Sequence, residues 1–307
     1  MWIYPLKLVP ENTEVNFVKL ARYLSIVSLF ILILGCIVIY LKGFNFGIDF
    51  VGGTQLEIKA DKSIELDKMR EVLANLNLGD VSLQCQGQKD QKSEVVIKIA
   101  HLQGKAEPNS EIVKNALEGA FLEHKFEYLS VSFIGPQINS YLIKSGVKAV
   151  AFSILGIFVY VWIRFKLSFG FGILATLLHN LILCFSFLSI SGIDFNQATI
   201  AALLIIIGYC VNDSIVIYDK ILSNANQMKV LNQGIVNLSI NRTLSRTILT
   251  SFTTLLANLA LILFGGKTLL SFSLLVFVGI LIGTYTSIVF SGPIVLCFLN
   301  KKKNVQS

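Results

Sequence analysis

The chain has 307 residues, of which 54% are hydrophobic and only 15% charged, against about a quarter charged in soluble domains. That balance excludes an ordinary soluble globular protein and indicates a polytopic membrane protein. The formal net charge of +7 invites a nucleic-acid reading, but the basic residues sit at loop ends and form no stripe interleaved with aromatics, so membrane orientation accounts for them and nucleic acid is not expected as a partner.

Residues 1–22 read as a polar N-terminal segment resting on the inner membrane face, anchored by Leu6, Leu8, Val9, Val15 and Phe17 and carrying Lys7, Lys19 and Arg22. The run 23–41 can cross about 30 Å of hydrocarbon at about 1.5 Å per residue and is the first predicted transmembrane helix. No small-residue cleavage site follows it, so it reads as a retained helix and not a removed signal peptide.

Residues 42–144 change character and hold most of the acidic residues. Gly53 to Ile58 alternate as a strand, and Ser63 is the expected cap of a helix from Ile64 to Leu76 that buries Leu66, Met69, Val72 and Leu73. Val81 to Cys85 and Glu94 to Ala100 read as strands joined by a turn at Gly87. Ser110 opens a second helix through Ile112, Leu117 and Phe121, and Tyr128 to Ile134 form a last strand. The order βαββαβ is that of a ferredoxin-like α+β domain.

Five further helices are expected at 145–163, 167–190, 197–218, 247–264 and 269–299, with a loop at 219–246 and a tail at 300–307. The last helix is longer than one span needs, and its excess can tilt or break. The fold class is therefore an α-helical membrane protein with six transmembrane helices and one external domain between the first two. Arg164, Lys166, Lys220, Lys229, Arg242, Arg246 and Lys301 to Lys303 place their loops and both termini in the cytoplasm, and the polar domain in the periplasm. The four residues Gly47-Ile48-Asp49-Phe50 recur as Gly192-Ile193-Asp194-Phe195, which shared interface composition explains as readily as a repeat.

Polar groups inside the apolar runs are the candidates for chemistry. Asn212 and Asp213 lie about fifteen residues, or ~22 Å, into the fourth helix. A carboxylate at membrane depth usually faces a bundle interior and marks an ion or proton path; the alternative is an early helix end that leaves Asp213 in water. In the fifth helix Thr243, Thr247, Thr250, Thr254 and Asn258 fall within about 80° of one another at about 100° per residue, a polar stripe that must face protein. Arg246 stands beside it, where a guanidinium can approach the carboxylate or, alternatively, a lipid headgroup. How near it comes decides whether Asp213 holds or releases a proton. Gly279, Gly283, Ser287 and Ser291 form a small-residue ridge for close helix approach. His179, beside Asn180, is a candidate relay.

Cys36, Cys184, Cys210 and Cys297 fall in apolar runs, so Cys85 has no disulfide partner within the polar insertion. His101, His124 and His179 stand apart with no metal-ligand spacing, and no nucleophile or phosphate loop accompanies them. No enzyme activity, metal or other cofactor is expected, protons being the coupling ion.

Several blocks resemble the SecD/SecF family of protein-export membrane proteins, part of the wider RND superfamily. They are Lys7-Leu8-Val9-Pro10, Gly47-Ile48-Asp49-Phe50-Val51-Gly52-Gly53-Thr54, Gly208 through Asp219, Thr243-Leu244-Ser245-Arg246-Thr247 with Thr250-Ser251, Phe264-Gly265-Gly266, and Gly283-Thr284-Tyr285-Thr286-Ser287. They follow family order over nearly the whole chain, and the single short external domain favours the SecF branch. The resemblance implies one half of a pseudo-symmetric twelve-helix unit with SecD in the bacterial cytoplasmic (inner) membrane. Beside the SecYEG translocon, with YajC and SecA-driven preproteins as further partners, it would use the proton gradient in late export. Asp213 of the ND motif and Arg246 of the LSRT motif then mark the proton pathway, with Asn212, Thr247 and Thr250 alongside. Gly47, Asp49, Phe50, Gly52, Gly53, Thr54 and Gly208 are family-motif positions. Two departures stand out: family members commonly have His-Asp at His179-Asn180, and Asp-Arg-Ile-Arg-Glu at Asp219-Lys220-Ile221-Leu222-Ser223. The alternatives are a scaffold that docks SecD to the translocon without transducing, and an RND-type small-molecule or lipid exporter.

Overall fold

Apolar segments of membrane length fold as helices because only a helix satisfies its own backbone away from water. A computed structural model describes residues 13–62, 64–76, 81–85, 94–100, 110–122, 124–134 and 136–296. Among them are six helices long and apolar enough to cross a membrane. The chain divides into two units, one drawn from Met1–Asn45 and Val147–Ser307, the other from Phe46–Gly146.

Helix α1 (Phe17–Lys42) begins at Phe17 and not at the expected 23. Asn16 caps it by accepting from the Lys19 N–H at 3.0 Å, and Phe17 and Ala21 are buried. Lys19 and Arg22 therefore ride the outer face of the helix instead of a separate surface segment.

The second unit runs α2 (Ile48–Val51), β1 (Gly53–Ala60), α3 (Leu66–Asn75), β2 (Val81–Cys85), β3 (Glu94–Ala100), α4 (Ser110–Ala120) and β4 (Phe126–Ile134). Its antiparallel sheet has the order β2-β3-β1-β4, the ferredoxin-like arrangement. Gly52 at φ 75° and Gly53 at φ 132° turn α2 into β1, backbone angles that a side chain resists. Helix α3 starts at Leu66 with Glu65 at the cap position, not at Ile64; Ser63 and the Gly87 turn lie outside the described residues. Strand β4 starts at Phe126 and not at Tyr128, because a bulge at Leu129 lets Glu57 pair with Ser130 while Ile58 pairs with Tyr128. The core joins Leu56 and Ile58 of β1 to Met69, Leu73, Val113 and Leu117 of the helices, each at most 1% exposed. Leu117→Ala is expected to cost this unit about 2–5 kcal/mol, read as faster amide exchange in β1 and β3 with the membrane helices unchanged.

The membrane unit continues with α5 (Pro136–Arg164) from Val147 onward, α6 (Leu167–Ser191), α7 (Gln197–Met228), α8 (Gln233–Phe264) and α9 (Gly266–Thr286). Helix α5 starts at Pro136 and not at 145. The expected loop at 219–246 is overturned: α7 runs on to Met228, Lys229 closes it at φ 53°, and Asn232 caps α8. Its polar residues are one face of two continuing helices, whose other face buries Ile221, Asn224, Ile235, Val236 and Ser239. Asn224 Nδ2 donates to Ser239 Oγ at 2.8 Å across the pair. The first turn of α1 is tied to the same end, since the Val18 N–H donates to Asn237 Oδ1 at 2.9 Å. The long run expected at 269–299 breaks into α9, a π-helical turn at Ser287–Ser291 and a last helical stretch reaching 296.

At the opposite end of the unit Asn45 clamps the α6–α7 connection. Its Nδ2 donates to the Gly192 carbonyl at 3.1 Å and to Asp194 Oδ1 at 2.5 Å, and its carbonyl accepts from the Phe195 N–H at 2.7 Å. Asn45→Ala removes a hydrogen bond to a charged group and is expected to cost about 1.5–3 kcal/mol, measured by thermal unfolding in detergent. Helix α7 is the innermost of the six spans, buried along more of its apolar length than any other, while α1 and α5 are mostly exposed.

Candidate functional site

The site is built on α7. Asn196 accepts from the Thr199 N–H while Thr199 Oγ1 accepts from the Asn196 N–H, a reciprocal cap that fixes where the helix begins. From there Leu203, Ile206, Cys210, Asp213, Ile217, Ile221 and Asn224 recur every three or four residues on the buried face. Asp213 thus occupies a core position near the middle of a 32-residue helix, 4% exposed. Its Oδ2 is buried without a hydrogen-bond partner. The helix does not end before Asp213, so the reading that leaves this carboxylate at the helix end is overturned.

Helix α9 closes one side. A Cβ at Gly279 would lie 2.3 Å from Ile206 Cδ1, and one at Gly283 would lie 2.2 Å from Cys210 Sγ. These two glycines let α9 rest on the turn of α7 just before Asp213. Asn180 of α6 completes that wall, with its Oδ1 accepting from Thr286 Oγ1 at 2.6 Å. Asn180 therefore serves as a hydrogen-bond acceptor between α6 and α9.

Helix α8 supplies the other side. Thr247 is 1% exposed and Thr243 7%. Thr243, Thr250 and Thr254 spend their hydroxyl protons on carbonyls of their own helix, Thr250 donating to Arg246 O at 3.0 Å and Thr247 O at 2.9 Å. The stripe is thus back-bonded and offers mainly acceptor lone pairs. A cross-helix chain that the sequence did not single out runs from Tyr209 of α7, whose hydroxyl donates to Ser251 Oγ at 3.0 Å, to Thr284 Oγ1 of α9 at 2.7 Å. All three residues fall in blocks that resemble the family, but no spacing in the sequence connects them across the helices.

Arg246 lies in the first half of α8, exposed, and forms no ion pair with Asp213 among the described residues. It lines a cavity of about 510 Å³ together with Ile215 and Val216 of the following α7 turn. Burial favours the protonated form of a carboxyl and the approach of a cation or water favours the ionised one, so a group in this setting can hold or release a proton.

The remaining candidates are dispersed. His179 points to α1, where its Nε2 meets Ser28 Oγ at 2.5 Å, and no hydrogen bond joins it to Asp213. Asn212 and Gly208 lie on the exposed face of α7, where a Cβ at Gly208 meets nothing within 4 Å. Gly47, Asp49, Phe50, Gly52, Gly53 and Thr54 belong to the other unit, at the α2–β1 turn.

Comparison with known proteins returns consistent relatives. A family described as "Protein export membrane protein SecD/SecF, C-terminal" matches residues 112–301, and one described as "SecD/SecF GG Motif" matches residues 37–64. Protein translocase subunit SecF of Rickettsia rickettsii (strain Sheila Smith) is 48% identical over 308 residues, covering 99% of this chain and 98% of the relative. That of Rickettsia bellii (strain OSU 85-389) is 47% identical over 306 residues, covering 98% of this chain and 99% of the relative. The crystal structure of SecDF, a translocon-associated membrane protein from Thermus thermophilus, matches with a TM-score of 0.83 at 34% identity, over 95% of this chain but only 40% of the longer one.

Proposed function

This chain belongs to the SecD/SecF family of protein-export membrane proteins, and we propose that it is an accessory subunit of the Sec preprotein translocase that lets the proton gradient drive late export. The observation that carries the reading is the buried Asp213 carboxylate, with one oxygen unpartnered, at the centre of the innermost span. Uptake and release of a proton there, with Arg246 as the charge whose approach differs between states, biases a conformational equilibrium. Each charge moved across the full membrane potential is worth about 2.3 kcal/mol per 100 mV. No bond-making chemistry is assigned to the chain.

SecD is the proposed partner. A SecDF chain is longer than this one, which spans 40% of it. The outward face of α7 carries Ala201, Ile205, Gly208 and Asn212, all exposed. An amide at membrane depth needs a protein partner, and small residues permit close helix approach. SecYEG, and through it YajC and SecA-driven preproteins, are the proposed wider assembly. The basic ends of α5, α7 and α8 support cytoplasmic termini in the bacterial inner membrane and a periplasmic ferredoxin-like unit.

Depletion of the chain from its own cells is the test. Accumulation of unprocessed precursor proteins, with SecD co-purifying with the tagged chain, is the expected result. Drug sensitivity without precursor accumulation favours an exporter, and failure to recover SecD removes the partner assignment.

A further inference from the structure

We propose that the cavity between the basic segments of α5, α7 and α8 binds a phosphate-bearing anion, the headgroup of an anionic phospholipid. The cavity has about 510 Å³ and gathers four cations, Arg164, Lys220, Arg242 and Arg246, against one carboxylate, Asp219. Asp219 is already engaged, 3.4 Å from Arg164. Arg242 gives its Nη1 to the neutral Asn224 Oδ1 at 3.3 Å, which leaves its charge uncompensated. The side chains of Lys220 and Arg246 form no ion pair among the described residues. Lys220, Arg242 and Arg246 thus bring three positive charges to a hollow whose single carboxylate is already shared with Arg164, an arrangement that attracts an anion. Two guanidinium groups supply the planar paired donors that phosphate oxygens accept, and a lysine adds a point charge.

The walls favour a lipid over a free ion. Phe165, Ile215 and Val216 line the same hollow, so its cations sit at the edge of an apolar surface. On α5 the neighbouring Tyr160, Trp162 and Ile163 are 53%, 50% and 79% exposed. Aromatic side chains beside basic ones at a helix end are the signature of the membrane–water boundary. Basic pockets between transmembrane helices hold acidic headgroups in this way. The volume is that of a small-ligand site.

The test titrates the purified full-length chain in detergent with phosphatidylglycerol, phosphatidylcholine and inorganic phosphate, reading bound species by native mass spectrometry. Phosphatidylglycerol is expected to bind in preference to phosphatidylcholine. Binding weakens roughly tenfold in the Lys220→Gln/Arg242→Gln double variant and stays unchanged in Lys229→Gln, a surface charge outside the cavity. Lys220→Gln alone, checked for an unaltered unfolding temperature, keeps the test meaningful if the double variant misfolds, and is expected to weaken binding by a smaller factor. Equal binding by parent and variants, or no preference between the two lipids, overturns the proposal. Capture of inorganic phosphate that the lipid does not compete with keeps the anion site and overturns the lipid. Loss of the lipid on adding SecD, with crosslinks from position 242 to SecD, makes the cavity a protein interface and overturns it as well.

Discussion

Asp213→Asn is expected to abolish the gradient-dependent increment of preprotein export in membrane vesicles while leaving the gradient-independent rate and SecD association intact. The substitution keeps the shape of the side chain and removes only its proton exchange. Asp213 is 4% exposed and one of its oxygens has no partner, so the amide meets no steric barrier and no ion pair is broken. A scaffold that merely docks SecD would tolerate this change. Loss of SecD association in the same variant would instead assign Asp213 a packing role. Arg246→Lys keeps the charge and should retain part of the increment, whereas Arg246→Gln should lose most of it.

The second large effect is steric. Gly283→Val places a Cβ 2.2 Å from Cys210 Sγ and 3.9 Å from Asn180 Nδ2, so α9 must move away from α7 or both side chains must leave their places. Overpacking of this kind costs about 1–3 kcal/mol or more, and here it also strains the Asn180–Thr286 hydrogen bond at 2.6 Å. The expected outcome is a markedly lower unfolding temperature in detergent. The contrast is Gly208→Val on the open face of α7, where a Cβ meets nothing. That variant is expected to fold normally alone and to fail at the SecD contact. A Gly283→Ala/Cys210→Ala pair that recovers most of the Gly283→Ala loss would place the energy at this one contact.

Some of this was legible in the residues and some was not. Apolar length alone announces the six spans, because a continuous apolar segment satisfies its own backbone in a bilayer only as a helix, and alternation against helical periodicity announces βαββαβ. Residues 219–246 misled because polarity and helicity are separate properties: charged residues past the membrane edge cover one face of α7 and α8 while Ile221, Ile235 and Val236 fill the other. The cost of a carboxylate at membrane depth pointed Asp213 to the bundle interior, and spacing put the threonine stripe on one face of α8, but spacing does not say what each hydroxyl bonds. Most of the stripe turned back on its own carbonyls, and the link across helices goes through Tyr209, Ser251 and Thr284 instead. His179 and Asn180 are adjacent in sequence yet serve different neighbours, Ser28 and Thr286, as a turn of about 100° per residue requires. The Asn45 clamp on Asp194 joins positions that no local pattern connects.

The claim that Asp213 exchanges a proton is tested most directly by difference infrared spectroscopy of the membrane-embedded complex with SecD on a pH step. A carboxylic-acid carbonyl band that appears on acidification in the parent and is missing from Asp213→Asn is the predicted result. Superimposable difference spectra for the two proteins would contradict it.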